Sequence, residues 1–209
     1  MINIYQSFLK RWCDVILSLS ALIVLLPVFL LVGLLLYVAN EGAGVFFLQR
    51  RPGKNAKIFE LIKFKTMTDK KDKNGILLPD AERLTRIGRF IRSFSMDELP
   101  QFINILKGEM SFIGPRPLAE VYLPYYSELE RHRHNVRPGI TGLAQINGRK
   151  ALTWEQRFCY DIEYVNNISF LLDFKIFVMT IIKIVKRENV NVDSQGAVDF
   201  HKWRMAQRK

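Results

Sequence analysis

The sequence predicts an α+β chain: a proline-broken apolar helix at the N-terminus, a small β-hairpin after it, and amphipathic helices around one domain. Three observations carry that expectation. An uncharged run extends from Val15 to Ala39 with Pro27 near its middle. Two short stretches rich in aromatic and branched residues, GVFFLQ and KIFELIKFKTM, flank Arg51-Pro52-Gly53. Beyond them, apolar residues return at helical spacing, as in Leu84, Ile87, Phe90 and Ile91. The expected division is residues 1–40 inserted in a membrane and residues 41–209 forming the domain.

At about 1.5 Å per residue, a helix of some 25 residues measures near 37 Å, against about 30 Å of hydrocarbon, so length alone permits a crossing. The run is longer than the roughly 7–15 residues of a secretory signal, and no small-residue cleavage site closes it. A soluble core helix is not expected to lack a polar face over such a length. Lys10 and Arg11 precede the run, and Arg50, Arg51, Lys54 and Lys57 follow it. A simple crossing would leave one of these basic clusters on the wrong side. Pro27 has no N–H for the carbonyl of Ile23 and its ring clashes there, so the helix should bend. Two arms of about 12 residues then enter one leaflet and return; a proline-kinked spanning helix is the alternative.

The aromatic stretches read as a hairpin with its turn at Arg51-Pro52-Gly53. Lys63 and Lys65, two apart on the second strand, share a face, which suits either an anion or a solvated edge. The charged segment from Asp69 to Asp80, with Asn74-Gly75 inside it, reads as an exposed loop. From Ala81 to Ile91 the pattern is helical, with arginines at 83, 86, 89 and 92 fit for headgroup depth. FLLDFKIFVMTIIKIVKR is apolar, yet Lys175 and Lys183 bound a stretch too short to span. It is either an interfacial helix or a buried core helix.

A net charge of +11 calls for an anionic partner: nucleic acid, anionic lipid headgroups or phosphorylated substrates. No nucleic-acid fold signature accompanies the charge, so no nucleic acid is expected. Cys13 and Cys159 are the only cysteines, which fits a reducing, cytosolic setting without a disulfide framework.

Chemistry concentrates between Ser93 and Arg149. Asp97 and Glu98 are adjacent acids in basic surroundings, just before an apolar helical pattern. Ser95 and Glu98 match a capping box, but a helix begun there puts Pro100 where an N–H is needed. A helix begun at Asp97 places Pro100 among the first four donors, which have no intrahelical partner. Either start leaves the carboxylates near a helix N-terminus, ionised, and suited to a nucleophile or a metal ligand. Arg116 stands between Pro115 and Pro117, so its guanidinium is presented on a stiff turn and can pair bidentately with phosphate. RPGITGLAQINGR adds Arg137, Arg149 and the glycines 139 and 142, whose backbone either approaches an anion or makes plain turns. His132 and His134 face apart at i, i+2 with no third ligand near, and are expected at the surface.

Taken in order, KRWCD, QRRPG, KFKTM, DELPQ, LKGEMSFIGPRP, HRHNVRPGITGLAQINGR and SFLLDFK resemble the small monotopic phosphoglycosyl transferases, bacterial sugar transferases. The short length resembles the bacillosaminyl phosphate transferase type. That subgroup often has Ser before the membrane proline, where this chain has Leu26, leaving Ser18 or Ser20 to bond the freed carbonyls. The resemblance implies a monotopic protein on the cytoplasmic face of the bacterial inner membrane, held by the re-entrant helix. It implies transfer of a sugar 1-phosphate from a UDP-sugar, expected to be N-acetylated with a neutral hexose second, to polyprenol (undecaprenyl) phosphate. Asp97 matches the catalytic Asp that forms an aspartyl phosphosugar and releases UMP, with Glu98 beside it and Mg²⁺ on the two acids. Arg116, Arg137, Arg149, Lys63, Lys65 and Arg92 are the expected phosphate contacts. The competing readings are a membrane-anchored basic nucleic-acid-binding module and a non-catalytic assembly protein.

Overall fold

The structure, a computed structural model, describes residues 4–148, 151–186 and 199–207. A π-helical turn, Tyr5–Leu9, runs into α1 (Lys10–Val24), and α2 (Leu26–Ala39) follows. The two are bent by 62°. In place of one kinked helix there are two, meeting at Leu25, whose φ of −89° and ψ of 3° leave the helical region. Pro27 thereby falls in the first turn of α2, where its missing N–H breaks no helical bond. Ser18 does not serve the break: its Oγ donates to the carbonyls of Asp14 (2.6 Å) and Val15 (3.2 Å), one turn earlier. Ser20 is exposed. Among the described residues no single helix is long and apolar enough to cross a membrane, but the bent pair passes by length and composition.

The base of α1 is bound into the domain by polar groups. Arg11 donates to the carbonyls of Ile105 (2.6 Å) and Leu106 (2.9 Å). Buried Asp14 accepts from Ser111 Oγ and the Phe112 N–H, each at 3.0 Å. Lys10 Nζ and the Tyr5 hydroxyl both reach Asp173 Oδ2 at 2.6 Å, while Tyr164 donates to Oδ1 at 2.8 Å. Val32 and Leu36 of α2 pack with Phe64 and Ile91, but Ile23, Leu26, Leu30 and Leu34 stand exposed.

β1 (Phe46–Pro52) pairs antiparallel with β2 (Ile58–Phe64), from Phe46 opposite Phe64 to Pro52 opposite Ile58. The strand runs through Arg51 and Pro52, so the turn lies later than its sequence predicts. It occupies Gly53 to Lys57, with Asn55 and Ala56 at positive φ (56° and 58°) and the Gly53 N–H donating to Lys57 O at 2.8 Å. The loop before Asp80 is exposed as expected, with Asp72 Oδ1 accepting the N–H groups of Asn74 and Ile76. The next helix is divided into α3 (Asp80–Arg83) and α4 (Arg86–Ser93). Thr85 adopts an extended conformation and its Oγ1 accepts from the Gly88 N–H at 2.8 Å, so a local cap overrides the continuous periodicity. Arg86, Arg89 and Phe90 remain exposed.

α5 (Gln101–Lys107) ends at Gly108, whose φ of 83° is the left-handed closing position. Its buried Asn104 fastens it to β2, accepting from the Ile62 N–H (3.0 Å) and donating to Glu60 O (2.7 Å). β3 (Ser111–Ile113) pairs in parallel with β4 (Gly139–Thr141), and α6 (Glu128–Arg131), with a Ser127–Glu130 capping box, lies between them in the chain. α7 (Leu143–Ile146), α8 (Trp154–Asn166) and α9 (Phe170–Val185) close a core of Ile113, Val136, Leu143, Tyr164 and Ile176. α9 buries Asp173 and Ile176 on one side and leaves Phe170, Leu171, Phe174 and Ile184 bare on the other. That one-sided burial is not that of a helix enclosed in the core. α10 (Phe200–Gln207) seats Phe200, fully buried, among Tyr126, Trp154 and Phe158.

Candidate active site

Asp97 and Glu98 lie in a single 3-10 turn, Met96–Glu98, one turn before α5. Neither helix start expected from the sequence is realised. Ser95 has a φ of 55° and no capping bond, and Pro100 is itself the N-cap of α5, where its missing N–H costs nothing. The two acids therefore share a tight turn between β2 and the Gly114-Pro115-Arg116-Pro117 segment, and the cations of those two elements meet them there.

Glu98 is gripped from both sides. Its Oε1 accepts from Lys63 Nζ at 3.0 Å and from Arg116 Nη2 at 2.5 Å, and Arg116 Nη1 lies 3.5 Å from Oε2. Burial alone would raise the pKa of this carboxyl, but the charges and hydrogen bonds of Arg116 and Lys63 outweigh it and hold Glu98 well below the usual carboxylate range. Asp97 is the opposite case. Its one ion pair is a 3.9 Å approach of Lys63 to Oδ2, and it accepts no hydrogen bond among the described residues. Burial and the neighbouring Glu98 charge push its pKa up, against the opposing charges of Lys63, Arg92 and Arg116. The sequence expects both acids ionised; of the two, Glu98 is the firmly ionised member, and burial and the Glu98 charge make Asp97 the more basic.

Arg116 is placed by a buried scaffold. Its carbonyl accepts from Arg133 Nη2 at 2.7 Å, and Arg133 forms a 2.8 Å ion pair with Asp161, both side chains only 2% exposed. The preceding turn depends on three glycines packed backbone to backbone. A Cβ on Gly114, Gly139 or Gly142 would fall on main-chain atoms of the facing segment. These glycines serve close approach of the chain to itself, the plainer of the two roles open from sequence.

Magnesium is tested by the donor set. No group of three His, Cys, Asp or Glu side chains able to hold a metal exists among the described residues. Mg²⁺ commonly takes one or two carboxylates and completes its shell with water and substrate phosphate. The unbonded oxygens of Asp97 fit that pattern, whereas those of Glu98 are engaged by Lys63 and Arg116.

The sequence matches the bacterial sugar transferase family over residues 5–187. The chain belongs to that family and is a transferase. It is 55% identical over 149 residues to the uncharacterized sugar transferase EpsL of Bacillus subtilis (strain 168), covering 71% of this chain and 74% of that one. It is 38% identical over 190 residues to the exopolysaccharide production protein ExoY of Sinorhizobium fredii, covering 82% and 83% of the two chains. Identity is also 38% over 192 residues with a UDP-glucose:undecaprenyl-phosphate glucose-1-phosphate transferase of Klebsiella pneumoniae, covering 87% of this chain but 41% of that longer protein.

In this sugar transferase, Lys63 and Arg116 of the expected phosphate contacts meet the acids, whereas Arg92 acts on Asp97 through its charge while its Nε donates to Thr66 Oγ1 at 2.7 Å. Lys65 is turned away. β2 ends at Phe64, and Lys65 Nζ reaches Asp69 Oδ2 (2.5 Å) and Ala43 O (2.8 Å). Arg137 donates from Nε to Gly108 O at 2.8 Å, joining Arg11 at the C-terminal carbonyls of α5, where cations are favoured. Arg149 lies outside the described residues. His134 is not on the surface. It is buried against Tyr126 with a hydrogen bond to the Gly53 backbone, and burial followed by the Arg133 charge lowers its pKa to about 4. His132 is exposed as expected. Sequence reasoning missed Arg133 and Asp161; no local pattern marks an Arg and an Asp that meet only after α8 folds back.

The opposed states of the acids give a pH test. If the ionised form of Asp97 is the reactive one, the acid limb of kcat/KM should lie above the usual aspartate range. Glu98→Gln removes a neighbouring negative charge and releases Lys63 and Arg116 toward Asp97, so the limb of the residual activity should move to lower pH. An unmoved limb would show that the titrating group is not Asp97.

Proposed function

We propose that this transferase moves a sugar 1-phosphate from a UDP-sugar to undecaprenyl (polyprenol) phosphate, with UMP released, in two steps on Asp97. The observation that carries the reading is the division of labour in the acid pair: one carboxylate clamped by two cations, its neighbour half-buried, without a hydrogen bond and available. A carboxylate without hydrogen bonds or a close cation is the better nucleophile. In the first step an Asp97 oxygen attacks the β-phosphorus, the bond from that phosphorus to the bridging oxygen breaks, and UMP leaves with the electron pair. In the second, an oxygen of the lipid phosphate attacks the same phosphorus and the Asp97 carboxylate departs. Arg116 and Lys63, oriented by Glu98, lower the repulsion between a carboxylate and a diphosphate. Mg²⁺ bound with Asp97 would supply further charge neutralisation at the phosphates.

The Klebsiella relative's name supports a UDP-sugar donor and an undecaprenyl phosphate acceptor. The donor we favour is an N-acetylated UDP-sugar, as the resemblance to the bacillosaminyl phosphate transferase type implies. A neutral hexose is the second reading, favoured by the glucose in that name and the galactose in the UDP-galactose-lipid carrier transferase of Erwinia amylovora, 37% identical and also longer. The bent apolar arm, the exposed apolar face of α9 and the arginine-rich α4 support a monotopic seat in anionic lipid on the cytoplasmic face of the bacterial inner membrane. There a lipid phosphate at headgroup depth and a soluble nucleotide sugar reach one site.

A panel of UDP-sugars assayed by UMP release, with Mg²⁺ and polyprenol phosphate, tests the proposal. Release with one sugar class is the expected result. No release with any donor would overturn it in favour of a non-catalytic assembly role, and salt-sensitive DNA binding in the same preparation would point to the nucleic-acid reading.

A further inference from the structure

We propose that Arg51 forms, beside Arg116, a second phosphate subsite that takes the nucleoside monophosphate half of the donor. The inference rests on the diphosphate-sugar reading above and adds the group that receives the leaving phosphate.

Arg51 lies near the end of β1, with its side chain largely enclosed. Its Nη2 donates to the neutral amide of Gln49 at 2.6 Å, and its Nε is buried with no hydrogen-bond partner. The surrounding arginines are matched by carboxylates. Arg50 pairs with Glu120 at 3.1 Å, Arg116 with Glu98, and Arg133 with Asp161. Among the described residues Arg51 has no carboxylate partner. Burial and then the Arg116 charge act against its guanidinium, with smaller effects of Tyr122 and Tyr126 in its favour. An enclosed cation with a spare donor, set against a second cation, is costly in the free protein and is relieved by an anion.

Position selects the anion. Arg51 lies opposite Phe59, and Lys63 stands four residues further along β2, so the Arg51 and Lys63 side chains share one face of the hairpin; Arg116 grips Glu98 beside Lys63 and its charge acts on Arg51. The acid pair thus lies by Lys63 toward one end of that face and Arg51 toward the other, with the Arg116 charge acting on both. A diphosphate with its β-phosphorus at Asp97 and a bridging oxygen near Arg116 extends its α-phosphate toward Arg51. When the bridging bond breaks, the negative charge that develops on UMP falls where the unmatched guanidinium waits.

Equilibrium binding of UMP to the full chain in detergent, beside uridine as the control ligand, tests this independently of turnover. Arg51→Gln should weaken UMP binding about ten- to a hundredfold, the range of a lost charge-assisted hydrogen bond, and leave uridine binding unchanged. Arg51→Lys should recover part of the loss, since it restores charge without the planar fork. In turnover the same change should raise KM for the UDP-sugar and leave KM for polyprenol phosphate alone. Equal UMP affinity in wild type and Arg51→Gln would overturn the inference, as would a defect confined to the lipid phosphate. Parallel loss of uridine binding would mark Arg51 as structural and also overturn it. Absence of UMP release from the wild type with every donor would instead count against the proposed function.

Discussion

Asp97→Asn is expected to abolish both turnover and the covalent phosphosugar adduct while leaving the protein as stable as wild type or more so. The amide keeps the size of the side chain and loses the anion. Asp97 accepts no hydrogen bond among the described residues, so the exchange orphans no partner. It also removes a half-buried like-charge neighbour of Glu98, which should raise stability. Loss of a nucleophile typically costs at least about 10⁴-fold in kcat. Mass spectrometry of protein mixed with UDP-sugar and Mg²⁺, without lipid acceptor, reads the adduct directly. The expected result is one phosphosugar on Asp97 of the wild type with stoichiometric UMP, and none on the variant. UMP released only after acceptor is added, with no adduct in any quench, would mean direct displacement and remove Asp97 from the nucleophile's role.

The second large effect is structural. Gly139→Ala should lose most of its folded protein, because the added Cβ falls on the backbone of Gly114 and Thr141 and within 2.7 Å of the Ile113 carbonyl carbon. Every one of these is main chain, so no flexible side chain can swing aside. The same atoms carry the Gly114 N–H to Thr141 O bond (2.9 Å) and the Gly139 N–H to Pro115 O bond (3.0 Å). Parting them moves the turn that presents Arg116. The cost should reach or exceed the upper end of the about 1–3 kcal/mol typical of overpacking. Gly33→Ala is the control: its Cβ would meet only Val45 Cγ1 at 3.8 Å, and alanine favours the helix. Thermal melts in detergent compare the two. A Gly139→Ala melt equal to that of wild type would refute the interlocked-backbone account.

The elements legible in the sequence were those written in local pattern: the apolar run with its proline, the two aromatic strands and the adjacent acids in basic company. Boundaries failed where one residue's backbone preference overrode periodicity, as at Thr85, where a cap splits a continuous arginine pattern. At the site, period-two reasoning put Lys63 and Lys65 on one face, but the strand stops at Phe64 and the second lysine leaves with the chain. Arg137 shows another limit. A long side chain beside glycine turns reads as a phosphate contact, while the fold spends it on helix carbonyls that come from another segment. Burial of His134 and the Arg133–Asp161 pair depend on α8 returning against the turn, and no spacing encodes that.

One carboxylate, Asp173, receives Tyr5 and Lys10 from the foot of the apolar arm and Tyr164 from the domain, while Arg11 beside Lys10 and Asp14 one turn on clamp the same foot. Such a foot is a fixed mount with no swivel. In the bilayer seat proposed here, the arm and the acid pair would rise and sink as one body, so the height of the reacting phosphorus above the hydrocarbon is set by the protein's own dimensions. Thicker or thinner lipid must then adapt around the enzyme, and the cost of that adaptation falls on the membrane instead of on the alignment of the site.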